Sequence, residues 1–237
     1  DSSTSRGLGD VYKRQDVMCP FCYIGKKHFE QALTQIPYQD KIQVEWKSFQ
    51  LNPDLSKTEI TSVNDYLIKT KGISEEQVSA MNNQLAEMGK VVGIDFQQQN
   101  SKVVNTGDAH RLIHFAQANG KGSEAEERLF KAYFTEGKNV ADYELLAELG
   151  EEIGLNKTEV LEMLNSDANV FEVASDILDA RNIGVSGVPF FVIDRKYALS
   201  GAQPVEYFVS ALTQAYEKDH LDQPQNGASC DVDGNCD

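Results

Sequence analysis

Two cysteines separated by two residues, Cys19-Pro20-Phe21-Cys22, stand where a helical pattern begins, and no other feature of the chain restricts its fold so strongly. Pro20 falls where a helix tolerates a missing N–H, and Ile24, Phe29, Leu33 and Ile36 recur at roughly helical spacing until Pro37 stops them. A sulfur at the start of a helix meets backbone N–H groups that have no partner inside the helix, together with the positive end of the macrodipole, so its thiolate is favoured. Cys19 is therefore expected to be the attacking sulfur. Cys22, one turn on, is close enough to attack a mixed disulfide at Cys19 and release the bound partner. The alternative, two thiols that only pack, leaves the coincidence of Pro20 with a helix start unexplained.

Cysteine usage beyond this pair is sparse. The chain holds 4 cysteines in 237 residues, far too few for a disulfide scaffold, and the other two, Cys230 and Cys236, lie in a polar terminal segment at a spacing unlike a zinc ribbon. His110 and His114 share a helix face in principle, but Arg111-Leu112-Ile113 between them lacks the glutamate of a zinc-protease motif, so no metal is expected. Lys plus Arg number 22 against 37 Asp plus Glu, and a net charge of -15 repels a phosphate backbone, so nucleic acid is not an expected partner. No run of 18 apolar residues and no secretory pattern occurs in the sequence, so a cytoplasmic protein without a membrane partner is expected.

Along the chain, residues 1–15 are polar and aperiodic and read as a disordered or non-native leader, with Lys13, Arg14 and Gln15 poor occupants of a strand buried on both faces. Lys41 to Leu51 alternates like a strand closed by Asn52-Pro53. Residues 62–184 read as almost continuous helix, with capping signals at Ser74/Gln77, Ser123/Glu126 and Asn156/Glu159. Gly187 to Ile193 and Tyr197 to Ser200 suggest a hairpin, Pro204 to Glu217 a last amphipathic helix, and residues 219–237 an acidic, Cys-containing tail.

CPFCYIGK at 19–26, GVPFFVI at 187–193 and SGAQ at 200–203, in that order, resemble the DsbA-like thioredoxin-fold oxidoreductases, and more narrowly their FrnE-type subgroup, related to the 2-hydroxychromene-2-carboxylate isomerases. The resemblance covers about residues 16 to 218. It implies an α/β, thioredoxin-like fold, discontinuous over 16–61 and 185–218, with a large all-helical insertion at 62–184. It also implies a cis Pro189 beside the dithiol, with Val188 offering its backbone to substrate and Pro20 and Phe21 flanking the reactive sulfur. The chain departs from that pattern in its leader, where the family's first strand belongs.

The activity so implied is thiol-disulfide exchange on protein or peptide disulfides, needing no cofactor beyond the dithiol, with glutathione a candidate co-substrate. Since Pro20-Phe21 places no cation beside the thiolate, a milder oxidant than DsbA is expected. The alternative is a glutathione-dependent small-molecule isomerase, where a single Ser or Cys activates the glutathione sulfur. Asn105, Ala109 and His110 resemble a segment that faces the dithiol in these relatives, which makes His110 a candidate for substrate contact or proton transfer; a packing or solvated histidine is the other reading. FrnE-type proteins can carry an extra C-terminal cysteine pair, so Cys230 and Cys236 are candidates for an accessory redox role, with an inert tail or a metal-binding one as alternatives.

Overall fold

A computed structural model describes residues 10–221 of the chain. Strands β1 (Asp10–Gln15), β2 (Gln43–Ser48), β5 (Phe190–Ile193) and β6 (Tyr197–Ser200) form one sheet in the order β2-β1-β5-β6. β1 runs parallel to β2, with Lys13 opposite Trp46, and antiparallel to β5, with Tyr12 opposite Val192. The β5–β6 hairpin turns through Asp194 and Arg195, both at positive φ.

The placement of β1 corrects the reading of residues 1–15 as a leader: Asp10–Gln15 are an inner strand of the sheet. Charges are tolerated there because each finds a distant partner. The Lys13 ammonium pairs with the buried Glu126 carboxylate at 2.6 Å, and Arg14 donates to the Asp176 carbonyl at 2.8 Å. Gln15 donates to the Cys22 carbonyl at 2.9 Å. Satisfaction is incomplete, since Arg14 Nε, Gln15 Oε1 and Glu126 Oε1 are buried without a hydrogen-bond partner among the described residues.

Helices α1 (Pro20–Leu33) and α9 (Val205–Leu221) pack together and enclose an apolar cluster of Val11, Phe29, Phe191, Ile193, Phe208 and Leu212 against the sheet. Phe191 and Phe208 meet edge to face at 4.7 Å, a geometry that aromatic quadrupoles favour beyond simple burial.

The intervening segment is mainly helical: α2 (Val63–Lys71), α3 (Glu75–Val91), α4 (Gly107–Ala118), α5 (Gly122–Phe134), α6 (Tyr143–Glu152), α7 (Lys157–Leu164) and α8 (Val170–Asn182). A short antiparallel pair, β3 (Thr61–Ser62) with β4 (Lys102–Val103), ties the two ends of the α2–α3 excursion together. Ser74 and Gln77 form a reciprocal capping box, and Asn156 accepts from the Thr158 and Glu159 amides. Ser123 does not cap: α5 starts at Gly122 with Lys121 as its N-cap, two residues before the expected cap, and Glu126 turns inward to Lys13.

The helical segment does not stand apart from the sheet. One continuous core joins Val17, Cys19, Cys22, Tyr23 and Trp46 to Leu112, Phe130, Tyr133, Phe134, Leu146 and Val160, so the dithiol sits where the two parts meet. Asp176 of α8 fastens this seam by accepting from the Ser48 amide at 2.8 Å and pairing with His114 at 3.0 Å. Among the described residues no helix is long and apolar enough to cross a membrane.

Candidate active site at the head of the first helix

Cys19 is the N-cap of α1, in extended backbone geometry, with Pro20 opening the helix. A turn holds it there: the Cys19 amide donates to the Asp16 carbonyl and the Cys22 amide to the Cys19 carbonyl, both at 3.0 Å. Both sulfurs are free thiols. Cys22 is 0% exposed and Cys19 4%, so an incoming disulfide reaches Cys19 first.

The loop before β5 comes down on this turn. The Cys19 thiol donates to the Val188 carbonyl at 3.5 Å, and the Val188-Pro189 bond is cis. The Gly201 amide, donating to the Pro189 carbonyl at 2.8 Å, pins the loop to the start of the β6–α9 turn. On the helix side the contact is equally close, since a Cβ at Gly25 would lie 3.0 Å from Pro189 Cγ. The SGAQ segment completes the frame: His28 Nδ1 meets the Gln203 carbonyl at 2.8 Å. Chain positions 169 residues apart are thus brought to one place.

Burial, the hydrogen bond with Cys19 and the charges of Cys19 and Asp16 together push the Cys22 thiol well above its usual range, against a smaller downward pull from the Asp16 amide. Cys22 is held as a thiol until something removes its proton. Asp16 is fully buried behind the turn. Its carboxylate accepts from Thr106 Oγ1 at 2.9 Å, from the Leu51 amide at 2.7 Å and from the Met18 amide at 3.4 Å, and lies 3.3 Å from His110 Nε2.

Of the residues expected at the site, Cys19, Cys22, Pro20, Val188 and Pro189 converge. Phe21 stands out from the surface, 47% exposed beside the dithiol. His110 needs correction as a substrate contact: it is 0% exposed, and its imidazole faces Asp16 and the Trp46 ring rather than the entrance. His114 turns to Asp176 instead, so the two histidines serve different carboxylates. Asn105 pins the loop after β2 by donating to the Leu55 carbonyl at 2.8 Å. Cys230 and Cys236 lie outside the described residues.

Three residues escaped the sequence reading. Asp16, three positions before Cys19, and Gly25 were not singled out from the sequence. Nor was Lys26, whose ammonium is buried against Glu30 and, at 2.6 Å, Glu127. Burial would lower Lys26, but the Glu126, Glu30 and Glu127 charges raise it to about 12. Burial would raise Glu127, but Lys26, Lys27 and the Tyr23 hydroxyl hold it down at about 2. This cluster rivets α1 to α5 just below the dithiol.

Comparison with known proteins agrees with this geometry. The DSBA-like thioredoxin domain matches residues 14–213. A probable DsbA oxidoreductase from Streptomyces coelicolor superposes with a TM-score of 0.87 at 35% identity, covering 97% of this chain and 98% of that one. The Bacillus subtilis protein YwbO is 28% identical over 209 residues, 86% of this chain and 95% of its own. The cytosolic disulfide reductase DsbM from Pseudomonas aeruginosa (TM-score 0.62, 18% identity, 86% and 98% covered) and a 2-hydroxychromene-2-carboxylate isomerase (0.65, 15%, 90% and 98%) share the fold. With a matched segment that runs from β1 into α9 and takes in the dithiol, the cis proline and the helical segment, the chain belongs to the DSBA-like thioredoxin family of thiol oxidoreductases.

Proposed function

We propose that the protein exchanges disulfides with other proteins, of the FrnE type, through a cycle in which Cys19 attacks and Cys22 resolves. The observation that carries this reading is the placement of the Cys19 sulfur 3.5 Å from the Val188 carbonyl, with Cys22 fully buried behind it. An extended peptide could lie along the loop at Val188-Pro189, bonded through its backbone, with its disulfide over Cys19. Attack by the Cys19 thiolate cleaves that disulfide and leaves a mixed disulfide; Cys22 then closes the intramolecular one and frees the substrate as a dithiol.

The reducing cytosol is the compartment we assign, and there the net activity is reduction or isomerisation. Glutathione is the candidate reductant that returns the dithiol, and no bound cofactor is required. The isomerase reading needs only one sulfur to activate glutathione, and the fold shared with such an isomerase keeps it in view. Retention of Cys22 favours protein disulfides.

Insulin reduction tests this. The wild type is expected to precipitate the insulin B chain with a thiol reductant present, and Cys19→Ser to abolish the effect. No activity in the wild type overturns the proposal.

A further inference from the structure

The four-stranded sheet has two faces, and α1 and α9 close one of them. Val11, Phe191 and Ile193 point into the cluster they share with Phe29 and Phe208. Side chains alternate along a strand, so Tyr12, Arg14, Phe190 and Val192 point to the other face. Strand pairing sets them in two rows: Lys47, Arg14, Phe190 and Ser200 in one, and Glu45, Tyr12, Val192 and Ala198 in the next. On this side α8 packs over β2, and beside it runs a groove of about 650 Å³, walled by Ile183 and by the β5–β6 turn.

The groove floor is apolar and partly aromatic, with cations around it. The Tyr12 ring lies 5.7 Å from the Lys47 ammonium and 5.6 Å from the Arg195 guanidinium, and Arg195 Nη2 also donates to the Tyr12 hydroxyl at 3.0 Å. Arg14, 6% exposed, commits Nη1 to the Asp176 carbonyl, while its Nε is buried without a hydrogen-bond partner among the described residues. Burial draws this guanidinium below its usual range, and the charges of Asp176, Asp179 and Glu45 only partly restore it. A further negative charge beside it is therefore favoured. Lys47 is already held by Glu45 at 2.7 Å and Asp176 at 3.2 Å, and Lys196 by Asp194 at 2.6 Å, so the two guanidiniums are the groups that can receive a charge from outside.

The turn that delivers Arg195 runs against local preference. Asp194 and Arg195 are its central residues, closed by the Lys196 amide on the Ile193 carbonyl at 3.1 Å, and their φ angles are 51° and 54°. A two-residue hairpin turn with both φ angles positive favours glycine at the second place. A long side chain kept there in a strained backbone is a sign that the side chain is used.

We propose that this groove binds a small aromatic carboxylate, with its ring on the Tyr12–Val192 row and its carboxylate between the Arg14 and Arg195 guanidiniums. A planar guanidinium matches a carboxylate through two parallel bonds, and a groove of this volume holds a small organic molecule. Glu45 and Asp179 in the groove wall repel a multiply charged phosphate, so the single charge is part of the specificity. The site lies across the sheet from α1 and takes no part in the exchange cycle.

Equilibrium dialysis of the full-length chain against 2-naphthoate, and against 2-naphthamide as its neutral isostere, tests this. The wild type is expected to bind one 2-naphthoate with a dissociation constant on the order of 10–100 μM. It should bind 2-naphthamide at least about tenfold more weakly, because the charge-assisted bonds are lost. Arg195→Gly should weaken 2-naphthoate by about tenfold and leave 2-naphthamide unchanged. Its melting temperature should hold or rise, since glycine suits the turn, which separates lost binding from lost folding. Cys19→Ser should bind 2-naphthoate as the wild type does, whatever the insulin assay shows.

A wild-type chain that binds neither compound, or both equally, overturns the proposal. So does a folded Arg195→Gly that keeps its affinity for 2-naphthoate. Binding lost in Cys19→Ser would place the ligand at the dithiol and overturn it as well.

Discussion

Gly25 faces Pro189 across the site, and a methyl group on its α-carbon would sit 3.0 Å from the proline ring and 3.5 Å from both Ala202 Cα and the Phe191 ring. Two distant parts of the chain are thus spaced by a missing side chain. Gly25→Ala should therefore push the loop that carries Val188 off the Cys19 sulfur. Helix propensity works the other way, since alanine stabilises a helix interior by about 1 kcal/mol over glycine. The expected outcome is a melting temperature changed by only a few degrees with insulin reduction slowed by about tenfold, because sub-ångström misplacement is costly at a reacting centre. Gly25→Val should lose activity and stability together. Wild-type turnover in Gly25→Ala would mean the loop yields without moving the carbonyl.

Lys13 and Glu126 make a different kind of prediction. Their 2.6 Å pair is buried on both sides. Lys13→Met alone leaves the Glu126 carboxylate buried and unpaired, which should cost about 3–5 kcal/mol. Replacing both, as Lys13→Met with Glu126→Met, removes the desolvation penalty along with the attraction and should restore wild-type stability or exceed it by about 1–4 kcal/mol. Urea melts of the single and double variants decide; a double variant no more stable than Lys13→Met would show that the pair supports the sheet in some way beyond its charge.

That pair also explains what could and could not be read in the sequence. The CxxC, the helix after it, the hairpin and the last helix were legible because each is local: a period, a cap or a turn within a dozen residues. β1 was not, because Lys13 and Arg14 are acceptable in a buried strand only through Glu126 and Asp176, more than a hundred positions away. Ser123 misled for the same reason, its apparent cap partner being committed to Lys13. At the site, the two sulfurs and Pro189 carried motif signals, whereas Asp16 and Gly25 derive their roles from tertiary neighbours that no spacing reveals. His110 was found through resemblance, and its direction, inward to Asp16 instead of outward to substrate, required coordinates.

The rivet between α1 and α5 should show in acid. The Glu127 carboxyl stands near 2 in the folded chain against an ordinary 4.5, so the folded state favours its charged form. A depressed carboxyl contributes stability that is complete above about pH 4.5 and lost as pH falls toward about pH 2. Glu127→Gln should be less stable than the wild type near neutrality, with the gap closing through that window. Glu127 is 35% exposed, so solvent screening keeps the gap modest. Parallel urea melts at about pH 6 and about pH 3 measure it. A gap of constant size would assign the loss to packing instead of charge.

The last prediction separates the two sulfurs by access and by protonation. Cys19 is the one in contact with the outside, and Cys22 is both buried and pushed up well above the ordinary thiol range. With native, reduced chain at neutral pH, iodoacetamide should modify Cys19 and leave Cys22 untouched until denaturant is added, as peptide mass mapping would show. The same asymmetry predicts the fate of a substrate. In Cys22→Ser no internal attack can follow, so a mixed disulfide formed at Cys19 should persist and be recoverable on a non-reducing gel, whereas in Cys19→Ser none should form. Equal alkylation of both cysteines in the folded chain would remove the distinction between attacking and resolving sulfur on which the exchange cycle depends.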